Sequence, residues 1–322
     1  MTHRTVLVTG ATGFVGRAVC GALQQQGWTV RAAARRVTAG PWSEFFPLDV
    51  TSPPEAWPVA GVDAVVHAAG LAHDVHATTT TDGDHARVNT EGMANAATAV
   101  HAAGIPVLVL ISSVKAMADR TTSIPLTENE PCRPTTPYGR AKLRGEQLAG
   151  DILSGSTSRL VILRLTPVYG PGSKGNLNRL LAASSRRWMP LLPLEAGARS
   201  MIHVEDVASL VLAALSAPAA GVFIADDGLH YVAGEIQRRV RSLQGISAPN
   251  FHMPATPLRA IHGATRRWST RSAGLRRLEA DLSRILDAGV FDGSHGRADL
   301  GWQPQHSLWA TLEGTFSGHT IP

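Results

Sequence analysis

Two residues of "PYGRAK", Tyr138 and Lys142, stand four positions apart and so share one face of a helix. A phenol with an ordinary pKa of about 10 is protonated at neutral pH, and a neighbouring ammonium stabilises its phenolate. Such a pair can exchange a proton with a reacting oxygen. Taken alone, a YxxxK pair is as readily a surface pair. Ser113 is the third candidate, because in "ISSVKAMADR" (111–120) it closes the apolar run "IPVLVL". A hydroxyl at that place is a nucleophile, a turn residue, or one member of a proton relay completed elsewhere. No GxSxG surrounds Ser113 and no histidine is tied to it by a motif, which weighs against a hydrolytic nucleophile.

The stretch "VLVTGATGFVGRAV" sets Gly10, Gly13 and Gly16 in GxxGxxG spacing between an apolar strand and the mouth of a helix. Glycines there let the backbone turn tightly and approach a pyrophosphate, whose charge meets the helix N-terminus. Thr12, Phe14 and Val15 belong to the same candidate dinucleotide-binding stretch. The second strand of such a unit normally ends in an acid that takes the ribose hydroxyls. Here "RAAARR" puts Ala34 near that place, followed by Arg35 and Arg36. A small residue plus arginine suits a ribose phosphate, which favours NADP(H); NAD(H) is the alternative if the arginines only stack on adenine or face solvent. Asp49 in "PLDV", with Val50 beside it, ends the third strand, where it could accept from the adenine amine. Ala68, Ala69 and Gly70 in "HAAG" let the chain pass close to a cofactor. Asn89, in "RVNTEG" at the start of a helix, is either a helix cap or a polar prop for Lys142, and capping is the simpler reading from its neighbours alone.

The elements that must position these groups are legible as an alternation. Apolar runs "TVLVTG", "TVRAAAR", "VDAVVHAAG" and "PVLVLIS" are separated by amphipathic stretches such as "FVGRAVCGALQQQG" and "NTEGMANAATAVHAAG". That pattern predicts βαβ units and a buried parallel sheet, hence a doubly wound α/β (Rossmann) fold. After "LVILRLTPVYGPG" the pattern becomes irregular and richer in proline. The expected organisation is a dinucleotide-binding domain over 1–168, with 203–224 returning to it, and a smaller, discontinuous α/β substrate lobe over 169–202 and 225–322.

Composition narrows the classes further. The 322 residues are enough to bury a large core without disulfides, and the only cysteines, Cys20 and Cys132, have no metal-ligand spacing. No metal site is expected. The first strand is too short for a secretory signal and no later segment approaches ~18 uninterrupted apolar residues, so a soluble, cytosolic protein without membrane insertion is expected. The net charge of +5 concentrates in "RRVRSLQ" and "TRRWSTRSAGLRR". A nucleic acid or a membrane surface could be the reason, but aromatic residues are only 5% and show no interleaved pattern. A solvated helical face with arginines that meet a phosphorylated small molecule is the simpler reading. The segment "RILDAGVFDGSHGRADLGW" (284–302) has no functional account from the sequence.

Taken together, GxxGxxG, "HAAG", Asn89, the serine strand, YxxxK, "VYGPG", "RSMIHVEDVA" and "LGWQP" resemble the extended branch of the short-chain dehydrogenase/reductase superfamily, the NAD-dependent epimerase/dehydratase family. The resemblance spans nearly the whole chain. It implies that Ser113 hydrogen-bonds the reacting oxygen, Tyr138 exchanges its proton, and Lys142 contacts the nicotinamide ribose. It also implies a nucleotide-sugar substrate, with Arg199 on the diphosphate, Asn176 on the nucleotide side and "MPLLPL" (189–194) along the base, and a homodimer formed through helices near 90–103 and 137–149. "SSVKA", "PYGRAK" and "TPVYGPGSKGNLNRLL" look like a subgroup of bacterial surface-polysaccharide enzymes that includes 4-reductases of UDP-4-keto-6-deoxy-N-acetylhexosamines. Two departures sharpen this. Val114 and Lys115 stand where dehydratases carry an Asp-Glu pair, and 4-epimerases commonly have a Tyr-Gly after the serine and an asparagine where this chain has Pro167. The expected activity is therefore reduction at carbon 4. A UDP-sugar 4-epimerase with tightly held NAD is the alternative within the fold, and a non-catalytic NADP-sensing regulator is the alternative of another class.

Overall fold

The structure is a computed structural model that describes residues 4–71, 81–122, 124–173, 175–247, 253–268 and 272–316. In chain order its strands are β1 (Thr5–Thr9), β2 (Thr29–Ala34), β3 (Glu44–Pro47), β4 (Ala64–His67), β5 (Val107–Ser113), β6 (Arg159–Leu165), β7 (Val168–Tyr169), β8 (Arg199–Ser200), β9 (Ile202–His203), β10 (Gly221–Ala225) and β11 (His230–Tyr231). Its helices are α1 (Phe14–Gln25), α2 (Asp82–His85), α3 (Gly92–Ala103), α4 (Pro137–Leu153), α5 (Asn176–Ser184), α6 (Val204–Ser216), α7 (Ala233–Leu243), α8 (Ala255–Trp268), α9 (Ala273–Leu286), α10 (Ser294–Asp299) and α11 (Leu308–Phe316). None of the described helices is long and apolar enough to cross a membrane.

Seven parallel strands form the main sheet in the order β10-β6-β5-β4-β1-β2-β3. Its central strands read as unbroken apolar runs because helices cover both faces. Successive side chains point to opposite faces. Val6, Val8, Val66, Val109 and Leu163 pack with α1 and α6 on one side, and Leu7, Val65, Leu108, Leu110 and Ile162 pack with α3 and α4 on the other. Within the first layer Cys20 is buried, and desolvation pushes its thiol up to about 12. A thiol so firmly protonated is no nucleophile at neutral pH.

The order reverses between β1 and β4, and the chain ends of those strands open a crevice at the switch point where doubly wound sheets bind ligands. Beyond β6 the chain leaves the sheet, then returns: α6 packs against α1 and β10 pairs with β6 as the edge strand. The remaining elements build a second cluster around Tyr169, Met201, Tyr231, Val240 and Leu308, bounded by α5, α7 and α11. Residues 284–302, without an account in the sequence, prove to be structural mortar. Ala288 bridges to Thr121, Phe291 to Leu126 and Gly289 to Arg199, while the Arg297 guanidinium donates to the buried Asp226 at 2.5 Å. Arg120 adds ion pairs to Glu279 (3.0 Å) and Asp287 (2.8 Å), so the loop after Ser113 is tied to α9.

Candidate active site

The turn after β1 is shaped by backbone contact. Gly10 has φ +67°, a left-handed value that favours glycine, and a Cβ there would lie 2.6 Å from the Ala69 backbone. Gly13 N–H donates to the Gly10 carbonyl at 2.9 Å and Gly13 caps α1 without a side chain, so the first N–H groups of the helix face the crevice. Gly16 is buried in the first turn of α1 against the Gly10 carbonyl, where a Cβ would come within 2.2 Å. It packs against the turn, and Phe14 and Val15 carry the first N–H groups of the helix. A cavity of about 700 Å3 opens over this turn, and Gly10, Thr12, Gly13, Arg35, Arg36, Asp49, Val50, Ala68, Ala69 and Gly70 all line it. Asp49 is held by an Asx turn, its Oδ1 accepting from the Thr51 N–H (3.0 Å) and hydroxyl (2.9 Å). Those bonds, helped by Arg35 and Arg87, hold its carboxyl below the usual range. A glycine turn against a bare helix start, opposite two arginines, fits a dinucleotide with a phosphorylated or hydroxyl-bearing ribose.

Ser113 ends β5 and turns the chain into a short 3-10 turn, its Oγ accepting from the Lys115 N–H at 3.2 Å. Tyr138 enters from the first turn of α4, whose Thr136 cap accepts from the Gly139 N–H. A Cβ on Gly139 would lie 2.3 Å from the Lys115 carbonyl, so this helix start sits directly on the serine turn. Ser113 hydrogen-bonds the Tyr138 phenol; burial pushes that phenol above its ordinary range and the Ser113 bond works in the other direction. Lys142, one helical turn on, is 4% exposed and donates to the Ile111 carbonyl at 3.1 Å. Burial lowers its ammonium to about 8, with Glu146 acting in the opposite sense.

Of the two readings of Asn89, the structure excludes one. It is not a helix cap: the helix begins at Asp82 under the Thr81 cap, and Asn89 lies inside a π-helical turn, Ala86–Glu91. Its Oδ1 accepts from the Leu71 N–H (2.9 Å) and its Nδ2 donates to the Leu71 carbonyl (3.0 Å), fixing the chain just past "HAAG". A Cβ on Gly70 would stand 2.9 Å from Asn89 Oδ1 and 3.1 Å from Lys142 Nζ. Glycine is needed there because amide and ammonium converge on it.

With this cradle and this hydroxyl–phenol–ammonium set in view, the family comparison is decisive. The model of the NAD dependent epimerase/dehydratase family matches residues 6–233. The chain belongs to that family. Among curated relatives, this epimerase/dehydratase family member is 26% identical over 316 residues to a UDP-glucose 4-epimerase of Vibrio cholerae, covering 95% of this chain and 92% of that one. It is 29% identical over 275 residues to a ceramide reductase of Caulobacter vibrioides (82% and 78% covered). Among solved structures, MoeE5 in complex with UDP-glucuronic acid and NAD superposes with a TM-score of 0.74 at 22% identity, covering 98% of this chain and 100% of that one, which shows the same fold.

Asn176 and Arg199 come together in a second cavity, of about 740 Å3, in the irregular half of this family member. Asn176 is the first residue of α5; Arg199 lies on β8 and donates to the Ser283 carbonyl at 2.8 Å. Met189 and Leu192 of "MPLLPL" line the same space, and Arg179, Arg186 and Asp281 supply charge the sequence analysis did not assign to it. Also missed was the layer behind the relay: Ser112 donates to Glu146, and Arg164 donates to both Glu146 oxygens. Glu146 stands four residues after Lys142, so helix periodicity was the available signal. His203, Glu205 and His306 place potential metal-binding atoms within 4.8 Å of one another. The backbone argues for a clip, not a metal ligand set. His203 Nδ1 accepts from the Glu205 N–H at 3.3 Å, which leaves the proton on Nε2, and its ring stacks on His306, which in turn bonds Asp206 at 2.9 Å.

Proposed function

We propose that this protein is a cytosolic oxidoreductase that moves hydride between NADP(H) and carbon 4 of a nucleotide sugar, reducing a UDP-4-keto-6-deoxy-N-acetylhexosamine. The observation that carries the reading is Ser113 acting on the Tyr138 phenol beside a buried lysine, whose Nζ would stand 3.1 Å from a Cβ on Gly70 in the wall of the dinucleotide cradle. The second cavity suits a nucleoside diphosphate, because Arg199, Arg179 and Arg186 offer cationic donors among apolar walls. Relatives named as a nucleotide-sugar epimerase and as a reductase support the class.

In the proposed reaction Ser113 donates to the carbonyl oxygen and orients it. Tyr138 gives its proton to that oxygen as the alkoxide forms. Lys142 carries the compensating charge and, with Asn89 and Gly70, shapes the wall on which the nicotinamide ribose rests. When bound, the reduced nicotinamide supplies the hydride. Donors fixed in advance in a water-poor cleft stabilise the developing charge without reorganisation. Gly10, Thr12 and Gly13 would hold the pyrophosphate, Asp49 and Val50 the adenine end, and Asn176 and Arg199 the substrate nucleotide. In this reading residues 1–168 and 203–224 form the dinucleotide domain, residues 169–202 and 225–322 form the substrate lobe, and α3 with α4 makes a homodimer.

Reduction is favoured over epimerisation by the cavity wall and the serine turn. Pro167, which lines the second cavity, offers no side-chain hydrogen bond where an epimerase carries asparagine, and Lys115 is turned to the Asp119 carbonyl at 2.6 Å. The test is to incubate the protein with NADPH and UDP-4-keto-6-deoxy-N-acetylglucosamine. One NADPH consumed per sugar reduced supports the reading. Interconversion of UDP-glucose and UDP-galactose, with no net cofactor consumption, would establish the epimerase reading that the Vibrio cholerae relative favours.

The preference for NADP(H) rests on Arg35 and Arg36 just after β2, which ends in Ala34 and not in an acid. Replacing both by alanine is expected to weaken NADPH binding by about ten- to a hundredfold, the worth of one or two charge-assisted bonds, and to change NADH binding by less than about threefold. Titration calorimetry with the two cofactors checks this; equal losses for both would reject a ribose-phosphate role.

A further inference from the structure

We propose that His85 is a positioning residue of the proton relay, held as the neutral Nε2–H tautomer so that its Nδ1 anchors Asn89 while its ring edge braces Tyr138. The proposal rests on the reading of Ser113, Tyr138 and Lys142 as that relay.

His85 is 8% exposed and ends α2, a short helix held by a reciprocal cap between Thr81 and Asp84. The π-helical turn follows immediately, and such turns concentrate at functional sites. Its spacing brings His85 and Asn89 to the same inward face. The amide of Asn89 cannot be turned over, because Leu71 donates to its Oδ1 and accepts from its Nδ2. The second Nδ2 proton is therefore available to His85 Nδ1, 3.3 Å away. An amide N–H needs a lone pair opposite it, so Nδ1 is unprotonated and the ring proton sits on Nε2. An Nδ1–H would face another N–H and strip Asn89 of this partner.

The same ring meets Tyr138 edge-on, with centroids 5.7 Å apart and planes at 70°. Ser113 acts on the phenol oxygen. Tyr138 is thus confined between a hydroxyl that acts on its oxygen and an imidazole that sets the tilt of its ring. Edge-to-face pairs of this kind are favoured in their own right. One side chain thereby links the two groups that must stay in register: Asn89, beside Lys142 and Gly70, and the phenol that transfers the proton. Nothing in this arrangement has His85 touching substrate, so its effect would pass through the geometry of its neighbours.

Two variants separate its contacts. His85→Phe keeps the ring edge against Tyr138 and loses the acceptor for Asn89; His85→Gln keeps an acceptor and loses the ring. Each is expected to reduce kcat with NADPH and UDP-4-keto-6-deoxy-N-acetylglucosamine by about ten- to a hundredfold, the scale of a misplaced catalytic group, with KM for the sugar changed less than about threefold. Nitrogen-15 NMR of the full-length protein, with His85 assigned from its absence in His85→Gln, is expected to show the Nε2–H tautomer. An Nδ1–H tautomer at His85, or a kcat within twofold of the parent in both variants, would overturn the proposal. A protein that shows the Nε2–H tautomer but never reduces the sugar would instead count against the reductase reading, and the NADPH titration of His85→Phe would then decide: the anchor requires weaker binding than in the parent, and unchanged binding overturns it.

Discussion

Tyr138→Phe is expected to lower turnover by ~10^2 to 10^4, the contribution of a positioned general acid, while leaving cofactor affinity and thermal stability near the parent values. The substitution removes one oxygen and keeps the ring that packs on His85 and the start of α4 that sits on the serine turn. What disappears is the proton that must reach the alkoxide, together with the bond to Ser113. Lys142 gives the same site a pH signature. Its ammonium is lowered to about 8 by burial, so it is charged below that pH and loses its charge as pH rises through it. Activity in the reducing direction should therefore decline on the alkaline side of about pH 8, well before an ordinary lysine would titrate near 10.4. Steady-state kinetics across pH 6 to about 10 on both proteins check the two statements. If Tyr138→Phe kept its biological activity, a catalytic reading would be untenable and a cofactor-sensing role would take its place.

The parts of this site that were legible in the sequence are those in which local backbone and chemistry are the same thing. The glycine turn is one: GxxGxxG after an apolar strand leaves little freedom about where a helix begins, and Gly10, Gly13 and Gly16 all fall in that turn. The relay is another, since four-residue spacing on a helix and a serine at a strand end locate Tyr138, Lys142 and Ser113 before any tertiary contact is known. The cap reading of Asn89 stayed open because a π-helical turn has no compositional signal, and "RVNTEG" looks the same whether the helix starts there or passes through. His85 was invisible for a related reason: its partners, Asn89 and Tyr138, come from different segments, and only the fold brings the imidazole edge to the phenol. The 284–302 segment works through backbone bridges to Thr121, Leu126 and Arg199, which leave no trace in side-chain type.

Arg164→Met should produce the largest loss of stability of any single change considered, because it strands a charge in the interior. Arg164 and Glu146 are 6% and 4% exposed; the guanidinium donates through one nitrogen at 2.6 Å and through Nε to both carboxylate oxygens at 3.1 and 3.2 Å. Breaking such a pair costs about 3–5 kcal/mol, since the remaining ion keeps its desolvation penalty and loses its counter-charge. For a chain of this size that is on the order of a 10 °C fall in Tm. The effect should reach the relay as well. Glu146 accepts from Ser112, the neighbour of Ser113, and its negative charge supports the Lys142 ammonium. With the guanidinium gone, Lys142 is the cation left beside that carboxylate. Its ammonium should then be held at least as firmly, and the alkaline decline in activity should stay at or above about pH 8. The double variant Arg164→Met/Glu146→Leu separates the two consequences. Removing both charges should recover much of the stability, because no buried carboxylate is left without its guanidinium. Here the alkaline decline in activity should move below about pH 8, because Lys142 then lacks its anionic neighbour. Thermal unfolding of the three proteins with their pH–rate profiles reads both effects, and a double variant no more stable than Arg164→Met alone would show that the pair acts by shape and packing and not by charge.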